Sequence, residues 1–190
     1  TLSEQHLARF SLSGRAAVVV GGTSGIGRAI ALGLADAGAD VAATGRRGAL
    51  VESVADEIAA RGRRTLRHTA DVTDRASLVA LRDACLAAFG RVDILVSASG
   101  VTQRVPTLAM GDADWQRIID TNVTGTLHAC QVFGPPMLDQ GRADGETGRC
   151  ERRAAGFSWN ADSVFHSPQA GHCPCQRGGR FSAKARGPST

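Results

Sequence analysis

Four glycines within seven residues mark the first place where this chain could do chemistry. They follow the apolar run 16–20 directly and are Gly21, Gly22, Gly25 and Gly27. Such a dense glycine cluster predicts a backbone that needs positive φ angles or a very close approach to another group. From Ile26 onward the apolar spacing becomes helical, so the turn leads into a helix N-terminus. Free N–H groups and the positive end of the helix dipole meet there, which predicts a binding site for an anion.

The residues around this turn predict alternating strands and helices. The β-branched run 16–20 indicates a buried strand. Ile26, Ile30 and Leu34 share one face of the following helix, which Gly38 ends, and a second strand is predicted at 40–44. A glycine turn between two such strands favours nucleotide binding. The alternative is that the glycines only allow the helix to pack against the strand.

The same alternation continues to about residue 140 and predicts an α/β fold, a Rossmann-like doubly wound parallel sheet truncated after the fourth or fifth strand. Thr73 or Asp74, and Asp112 or Asp114, are candidate N-caps. Pro135 and Pro136 are expected to mark the end of the last helix. The predicted elements after 40–44 are a helix at 49–60, a strand at 65–70, a helix at 76–89, a strand at 92–96, a loop at 101–110 and a helix from 115 to about 132.

The spacing Gly21-x3-Gly25-x-Gly27 resembles the TGxxxGxG turn of the short-chain dehydrogenase/reductase family, with Val20 in place of threonine. The resemblance covers about residues 10–140. It implies an enzyme that transfers a hydride between NAD(P) and a small carbonyl or alcohol substrate. The cofactor-binding positions that it implies are Gly21, Thr23, Ser24, Gly25, Ile26, Gly27, Arg46, Arg47, Asp71, Val72, Ser97, Ala98, Ser99 and Gly100.

Three segments that match the family have signals of their own. Asp71 and Val72 match the pair that holds the adenine, although helix capping also accounts for Asp71. The sequence SASG at 97–100 occupies the place of the family's NNAG. Asn122, in DTNVTG, resembles the helix asparagine that holds a water in the family's proton relay, and is the catalytic residue expected in this chain. The alternative is a polar helix residue paired to backbone.

The end of the second strand bears on the choice of dinucleotide. Arg46 and Arg47 follow it, and Gly45 stands where NAD-using relatives usually carry aspartate. Arginine pairs with the 2′-phosphate of NADP, so NADP is expected, with NAD as the alternative. The two arginines could also be ordinary solvated charges.

The resemblance stops where the family's catalytic residues should follow. The family uses a tyrosine and lysine pair, but this chain has no tyrosine and its single lysine is Lys184. The chain as written is therefore expected to lack activity, and a nucleotide-binding remnant without turnover is the alternative function.

The last fifty residues differ in composition from the rest. Residues 141–190 contain no leucine or isoleucine but eight glycines, which predicts an irregular, disordered or frameshifted tail beside a dinucleotide-binding domain at 1–140. Back-translation with one nucleotide dropped permits a serine and a tyrosine 13 positions apart, as in the family. The gene sequence across 135–190 tests this hypothesis.

Charge and composition restrict the other functions. The net charge of +4 lies in the tail, since residues 1–140 carry 14 arginines and 14 acidic residues. No nucleic-acid module is recognisable, and Cys173 and Cys175 are too close for the usual zinc spacing, so neither nucleic acid nor metal is expected. The sequence has no membrane-length apolar run and no leader, which predicts a cytoplasmic protein, although a start at Thr1 is typical of an incomplete amino end. Homo-oligomers are expected only for an intact chain.

Overall fold

The computed structural model describes residues 10–140 and the backbone of residues 164–166. Strands and helices alternate over most of this length, as the apolar patterns predict. Two short turns join the elements near the end: a 3-10 turn at Thr107–Ala109 and a π turn at Asp120–Thr124. The elements are β1 (Ala16–Val20), α1 (Gly25–Asp36), β2 (Asp40–Thr44), α2 (Gly48–Ala60), α3 (Arg75–Phe89), β3 (Ile94–Ser97), α4 (Asp112–Ile119), α5 (Gly125–Gln140) and β4 (Val164–His166).

The sheet has the order β2-β1-β3-β4, with β1 at an interior position. β1 pairs in parallel with β2 and with β3, and its last residue, Val20, lies opposite Thr44 and Ser97. The carboxyl ends of three parallel strands therefore meet at one edge of the sheet. β4 lies within the segment predicted to be irregular and pairs antiparallel to β3.

The core has one apolar layer on each face of the sheet, as in a doubly wound fold. Alternate residues of β1 point to opposite faces: Val18 packs with α3 and α5, and Val19 packs with α1 and α2. Both valines are completely buried. The run of apolar residues without polar alternation is thus explained by helices on both faces.

The predicted strand at 65–70 is wrong, because it forms only a single parallel bridge, between Thr65 and Val41. Farther along, the side chain of Thr44 donates to the carbonyl of His68 at 2.6 Å, and Ala70 donates to the carbonyl of Gly45 at 3.1 Å. The segment runs beside β2, but a side-chain hydroxyl replaces part of the ladder, so no strand forms.

The helix predictions also need corrections. The buried face of α1 consists of Gly27, Ala31 and Ala35, while Ile26 is exposed. Gly111 rather than Asp112 or Asp114 occupies the N-cap of α4, whereas Asp74 caps α3 as expected.

Pro135 and Pro136 do not end the last helix but lie inside α5, which continues to Gln140. The side of the helix at Pro135 is exposed. A carbonyl that loses its helical donor on that side can be hydrated instead, so the helix continues past the prolines.

The amino edge of the sheet is held by buried and half-buried ion pairs. The carboxylate of Asp93, only 4% exposed, accepts from the backbone N–H of Ala16 and from Arg15, both at 2.9 Å, and from Arg91. Burial alone would raise the pKa of Asp93, but the hydrogen bonds from Arg91, Ala16 and Arg15 outweigh it and hold the pKa below its ordinary value.

Within the described part of the chain, no helix combines the length and the hydropathy needed to cross a bilayer. The frameshift hypothesis, and the expectation that the tail cysteines hold no metal, concern side chains at 141–190, which lie outside the described residues.

Candidate functional site

The turn after β1 is pressed against the end of β3. Gly21 has a φ of +85°, and a Cβ at this position would lie 2.6 Å from the backbone nitrogen of Ser99 and 2.7 Å from the carbonyl oxygen of Ala98. The N–H groups of Gly21 and Gly22 both donate to the carbonyl of Thr44, at 2.9 and 3.0 Å. Only glycine satisfies this combination of backbone angle and close approach.

The first turn of α1 packs against the glycine turn at Gly27, and it has open space beside Gly25. A Cβ on Gly27 would lie 2.2 Å from the carbonyl oxygen of Gly21, so this glycine brings the helix against the turn. Gly25 has a φ of +54°, and a Cβ there would meet no atom within 4 Å. The side chain of Ser24 makes no capping hydrogen bond, and the first turn holds no acidic residue. The N-terminus of α1 thus has no side-chain cap, and there is open space beside Gly25.

The end of β2 lies beside this turn. Gly45 is close to Thr23, since a Cβ at 45 would lie 2.8 Å from its Oγ1. Thr23 is itself buried. The guanidinium of Arg47 donates to Oγ of Ser24 at 3.3 Å, so the end of β2 and the turn are also joined by side chains.

Arg46 is exposed and lies 4.0 Å from the carboxylate of Asp71. Burial raises the pKa of Asp71, but hydrogen bonds from the backbone and hydroxyl of Thr73, and the charge of Arg46, lower it more, so the net pKa lies below the ordinary value. Asp71 therefore carries its charge at neutral pH. The adjacent Val72 is buried against Gly125, where a Cβ would come within 2.8 Å of the valine side chain.

Short polar side chains link the end of β3 to α5. Oγ of Ser97 lies 3.1 Å from Oγ1 of Thr126, and the Thr126 hydroxyl donates to the carbonyl of Asn122 at 2.8 Å. Ala98 continues the parallel pairing by donating to the carbonyl of Val20 at 2.8 Å. The backbone at the end of β3 is therefore held by hydrogen bonds, and its side chains are small.

Asn122 is clamped to the loop after β3. Its side-chain oxygen accepts from the N–H of Val101 at 2.8 Å, and its side-chain nitrogen donates to the carbonyl of Val101 at 3.0 Å. The asparagine lies in the π turn between α4 and α5, and it approaches Gly100, whose Cβ would be 3.6 Å from Oδ1. The predicted alternative, pairing to backbone, is therefore present, and the partner is a loop rather than the helix itself.

The structure thus places the predicted positions on the loops at one edge of the sheet: the glycine turn, the end of β2, the Asp71 segment, the end of β3 and Asn122. Sequence reasoning missed Val101 and Thr126, whose partners are 21 and 4 residues away. The hydroxyl of Thr126 gave no sequence signal, since serine and threonine are common at such positions, whereas its neighbour Ser97 belongs to the predicted segment 97–100. Within residues 10–140, no cluster of three His, Cys, Asp or Glu side chains could hold a metal ion.

The sequence profile described as short chain dehydrogenase matches residues 15–146. The chain belongs to this family. The short-chain dehydrogenases are oxidoreductases with the Rossmann-like parallel sheet found here, which confirms the family and the fold class expected from the sequence.

Comparison with individual relatives shows how much of each protein the similarity covers. D-threitol dehydrogenase of Mycolicibacterium smegmatis is 38% identical over 132 residues, which are 70% of this chain and 51% of that protein. The 2-dehydro-3-deoxy-D-gluconate 5-dehydrogenase of Escherichia coli is 35% identical over 137 residues, 71% of this chain and 53% of that protein. A 7α-hydroxysteroid dehydrogenase solved with NADH and 7-oxo glycochenodeoxycholic acid is 33% identical with a TM-score of 0.67, over 70% of this chain and 52% of that one. The chain therefore spans about half the length of the relatives it matches.

Proposed function

We propose that this chain binds a nicotinamide dinucleotide at the carboxyl edge of its sheet, as part of an oxidoreductase that acts on a small carbonyl or alcohol. The observation that carries the proposal is the turn between β1 and α1. Gly21 and Gly27 bring it against β3, while Gly25 leaves open space in front of the uncapped N-terminus of α1. Such a cradle of N–H groups suits a diphosphate.

The other predicted positions would hold the adenosine half and the nicotinamide half. Asp71 and Val72 would hold the adenine, and the small side chains at 97–100 would let the nicotinamide half pass close to β3. Arg46 and Arg47 favour NADP, because a guanidinium pairs with the 2′-phosphate. Gly45 supports the same preference, since no acidic side chain stands at that position to bond a 2′-hydroxyl.

When bound, the nicotinamide ring supplies or accepts a hydride. The chain's own contribution is orientation: the clamp between Asn122 and Val101 fixes the loop after β3. Asn122 is the residue we propose for the proton relay, in which it would hold a water. The names of the relatives, a polyol dehydrogenase and a sugar-acid dehydrogenase, support a small polyhydroxylated substrate.

A second candidate function is dinucleotide binding without turnover. The observation that favours it is the composition: the 190 residues include no tyrosine, the side chain that serves as acid or base in the family this chain resembles. Its loss would leave the binding edge intact and remove the proton transfer.

A single preparation of the full chain tests both candidates. NADPH and NADH are titrated separately by nicotinamide fluorescence. Oxidation of NADPH is then followed with keto sugar acids and simple ketones, and reduction of NADP⁺ is followed with sugar acids and polyols. Saturable NADPH binding that is tighter than NADH binding is expected. Turnover would establish the enzyme, binding without turnover would establish the second candidate, and absence of saturable binding of either dinucleotide would refute both.

A further inference from the structure

Thr126 lies where the first turn of α5 meets the end of β3, and its hydroxyl has two partners. It donates to the carbonyl of Asn122 at 2.8 Å, and its oxygen lies 3.1 Å from Oγ of Ser97. A hydroxyl has a single proton to donate, and Thr126 uses that proton on the carbonyl. The hydroxyl of Ser97 is therefore the donor in the contact between the two side chains, which joins β3 to α5.

The carbonyl of Asn122 belongs to the π turn that precedes α5. In this turn the N–H of Gly125 bonds to the carbonyl of Asp120, five residues earlier, so the regular α-helical spacing is interrupted. A threonine hydroxyl can bond to the carbonyl four residues before it, and Thr126 does so across the change from π to α geometry. Thr126 therefore holds the backbone of Asn122 from the side of the helix.

These bonds hold both ends of the segment that follows β3. The side chain of Asn122 accepts from the N–H of Val101 at 2.8 Å and donates to its carbonyl at 3.0 Å. Ser97 is tied to the same part of the chain through Thr126. Residues 98–100 thus lie between two fixed points, and both points depend on the start of α5.

The glycine turn borders this segment but has support of its own. A Cβ on Gly21 would lie 2.6 Å from the backbone of the segment 98–100. The N–H groups of Gly21 and Gly22 also donate to the carbonyl of Thr44, at 2.9 and 3.0 Å, and these bonds do not involve Thr126. Loss of the Thr126 hydroxyl should therefore loosen the segment after β3 and leave the turn proposed for the diphosphate in place.

We propose that Thr126 is a positioning residue for the nicotinamide half of the dinucleotide. Its hydroxyl holds the end of β3 against the π turn, and so keeps residues 98–100 where the nicotinamide ring would pass. The inference rests on the proposed function and deepens it, since it separates the residue that places the ring from those that bind the diphosphate and the adenosine.

Isothermal titration calorimetry of the full chain with two pairs of ligands tests this assignment. NADPH is compared with 2′-phospho-ADP-ribose, which lacks only the dihydronicotinamide ring. NADH is compared with ADP-ribose in the same way, so the result does not depend on which dinucleotide the chain prefers. Hydrogen exchange of the unliganded chain, followed by NMR at the Val101 amide, shows whether the segment itself has loosened.

The variants separate the hydroxyl of Thr126 from the other features of the helix. Thr126→Val removes the hydroxyl and keeps the branched shape, Thr126→Ser keeps the hydroxyl, and Ser97→Ala removes only the partner on β3. Thr121→Val is the matched control. Thr121 lies in the same π turn and donates to the carbonyl of Arg117, four residues earlier, at 3.0 Å, which is a bond of the same type that stays within one helical segment.

Thr126→Val should weaken NADPH binding roughly three- to tenfold, the range for a neutral hydrogen bond. Binding of 2′-phospho-ADP-ribose should stay within about twofold of wild type, and exchange at the Val101 amide should become faster. Ser97→Ala should produce the same pattern to a smaller degree. Thr126→Ser and Thr121→Val should behave like the wild type in all three measurements.

Equal weakening of both members of a ligand pair would indicate a general loss of structure and would overturn the assignment. Unchanged exchange at Val101 in Thr126→Val, or an equal effect of Thr121→Val, would overturn it as well. Ser97→Ala provides the same test if Thr126→Val does not fold. A wild-type chain that binds neither dinucleotide would instead refute the proposed function, and the exchange at Val101, which needs no ligand, would still decide whether Thr126 holds the segment.

Discussion

The two edges of the parallel sheet are built by different means. At the amino edge, carboxylates are paired with arginines: Asp93 with Arg15 and Arg91, and Asp40 with Arg64 at 2.8 Å. At the carboxyl edge, the ends of the strands are joined by close backbone contacts, and the ion pair between Arg46 and Asp71 is as long as 4.0 Å. The side chains of Asp93 and Asp40 are 4% and 16% exposed, whereas that of Asp71 is 37% exposed.

This difference separates stability from binding. A buried carboxylate that is paired with arginine can contribute to folding but has little remaining capacity for a ligand. Uncapped N–H groups and exposed arginines with long contacts contribute little to folding and remain accessible to an anion. Substitutions at the amino edge should therefore change the free energy of unfolding alone, and substitutions that remove an anion-binding group at the carboxyl edge should change dinucleotide affinity. Four predictions test this division.

The largest effect is expected for Gly21→Ala, which should reduce the free energy of unfolding by about 3 kcal/mol. The new Cβ would both be strained at positive φ and overlap the backbone of β3. Gly25→Ala is the matched control, since its φ is also positive but its Cβ meets open space, and about 1 kcal/mol is expected. Urea unfolding of both variants measures the difference. Equal losses would show that backbone strain rather than contact with β3 decides the effect.

Asp93→Asn should reduce the free energy of unfolding by about 2 kcal/mol at neutral pH, because it leaves Arg15 and Arg91 without their charged acceptor. The pKa of Asp93 is lower in the folded chain than in the unfolded chain, so its stabilisation is present above the unfolded pKa of about 4 and is lost as pH falls through the folded pKa.

The gap between wild type and Asp93→Asn should therefore narrow below about pH 4. Urea unfolding between pH 3 and 7 measures it, and NADPH affinity should be unchanged at neutral pH. A change in that affinity comparable to the loss of stability would break the proposed separation of the two edges.

The double substitution Arg46→Ser and Arg47→Ser should weaken NADPH binding about tenfold, or about 1.4 kcal/mol, with NADH affinity and stability nearly unchanged. Arg47 is the N-cap of α2, and serine is a good residue for that position. Fluorescence titration of both dinucleotides measures the effect, with Arg82→Gln as the control. An equal loss for NADPH and NADH would argue against contact with a 2′-phosphate.

The smallest effect is expected for Asp40→Asn, about 0.5 kcal/mol of unfolding free energy, since its partner Arg64 is mostly exposed. The effect should shrink further in high salt because the pair is screened. A loss as large as that for Asp93→Asn would mean that solvent exposure does not determine how much each ion pair of this edge contributes to stability.

The apolar pattern of the sequence predicted strands correctly where the same residues are buried in the sheet. β1 and β2 were predicted with the observed bounds, because continuous apolar runs between glycines leave little choice. The segment 65–70, TLRHTA, is more polar, and its neighbour β2 offers the hydroxyl of Thr44 as a competing partner. Such a competition depends on a contact 24 residues away and has no signature within the segment itself.

The spacing of the glycines made the turn of the candidate site predictable. The turn from Gly21 to Gly27 lies at the predicted edge, and the ion pair between Arg46 and Asp71 joins two predicted segments. The clamp between Asn122 and Val101 was not predictable, because it uses the backbone of a loop whose sequence has no special residue at that point.

Under the proposed function, the contact between Gly45 and Thr23 makes the preference for NADP or NAD depend on two positions. A Cβ at residue 45 would lie 2.8 Å from Oγ1 and 3.2 Å from Cγ2 of Thr23, so rotation of the threonine exchanges one close contact for another. Introducing an aspartate at 45, to favour the dinucleotide without the extra phosphate, would first require a smaller residue at 23. An evolutionary or engineered route between the two preferences must therefore change the glycine turn before the strand beside it.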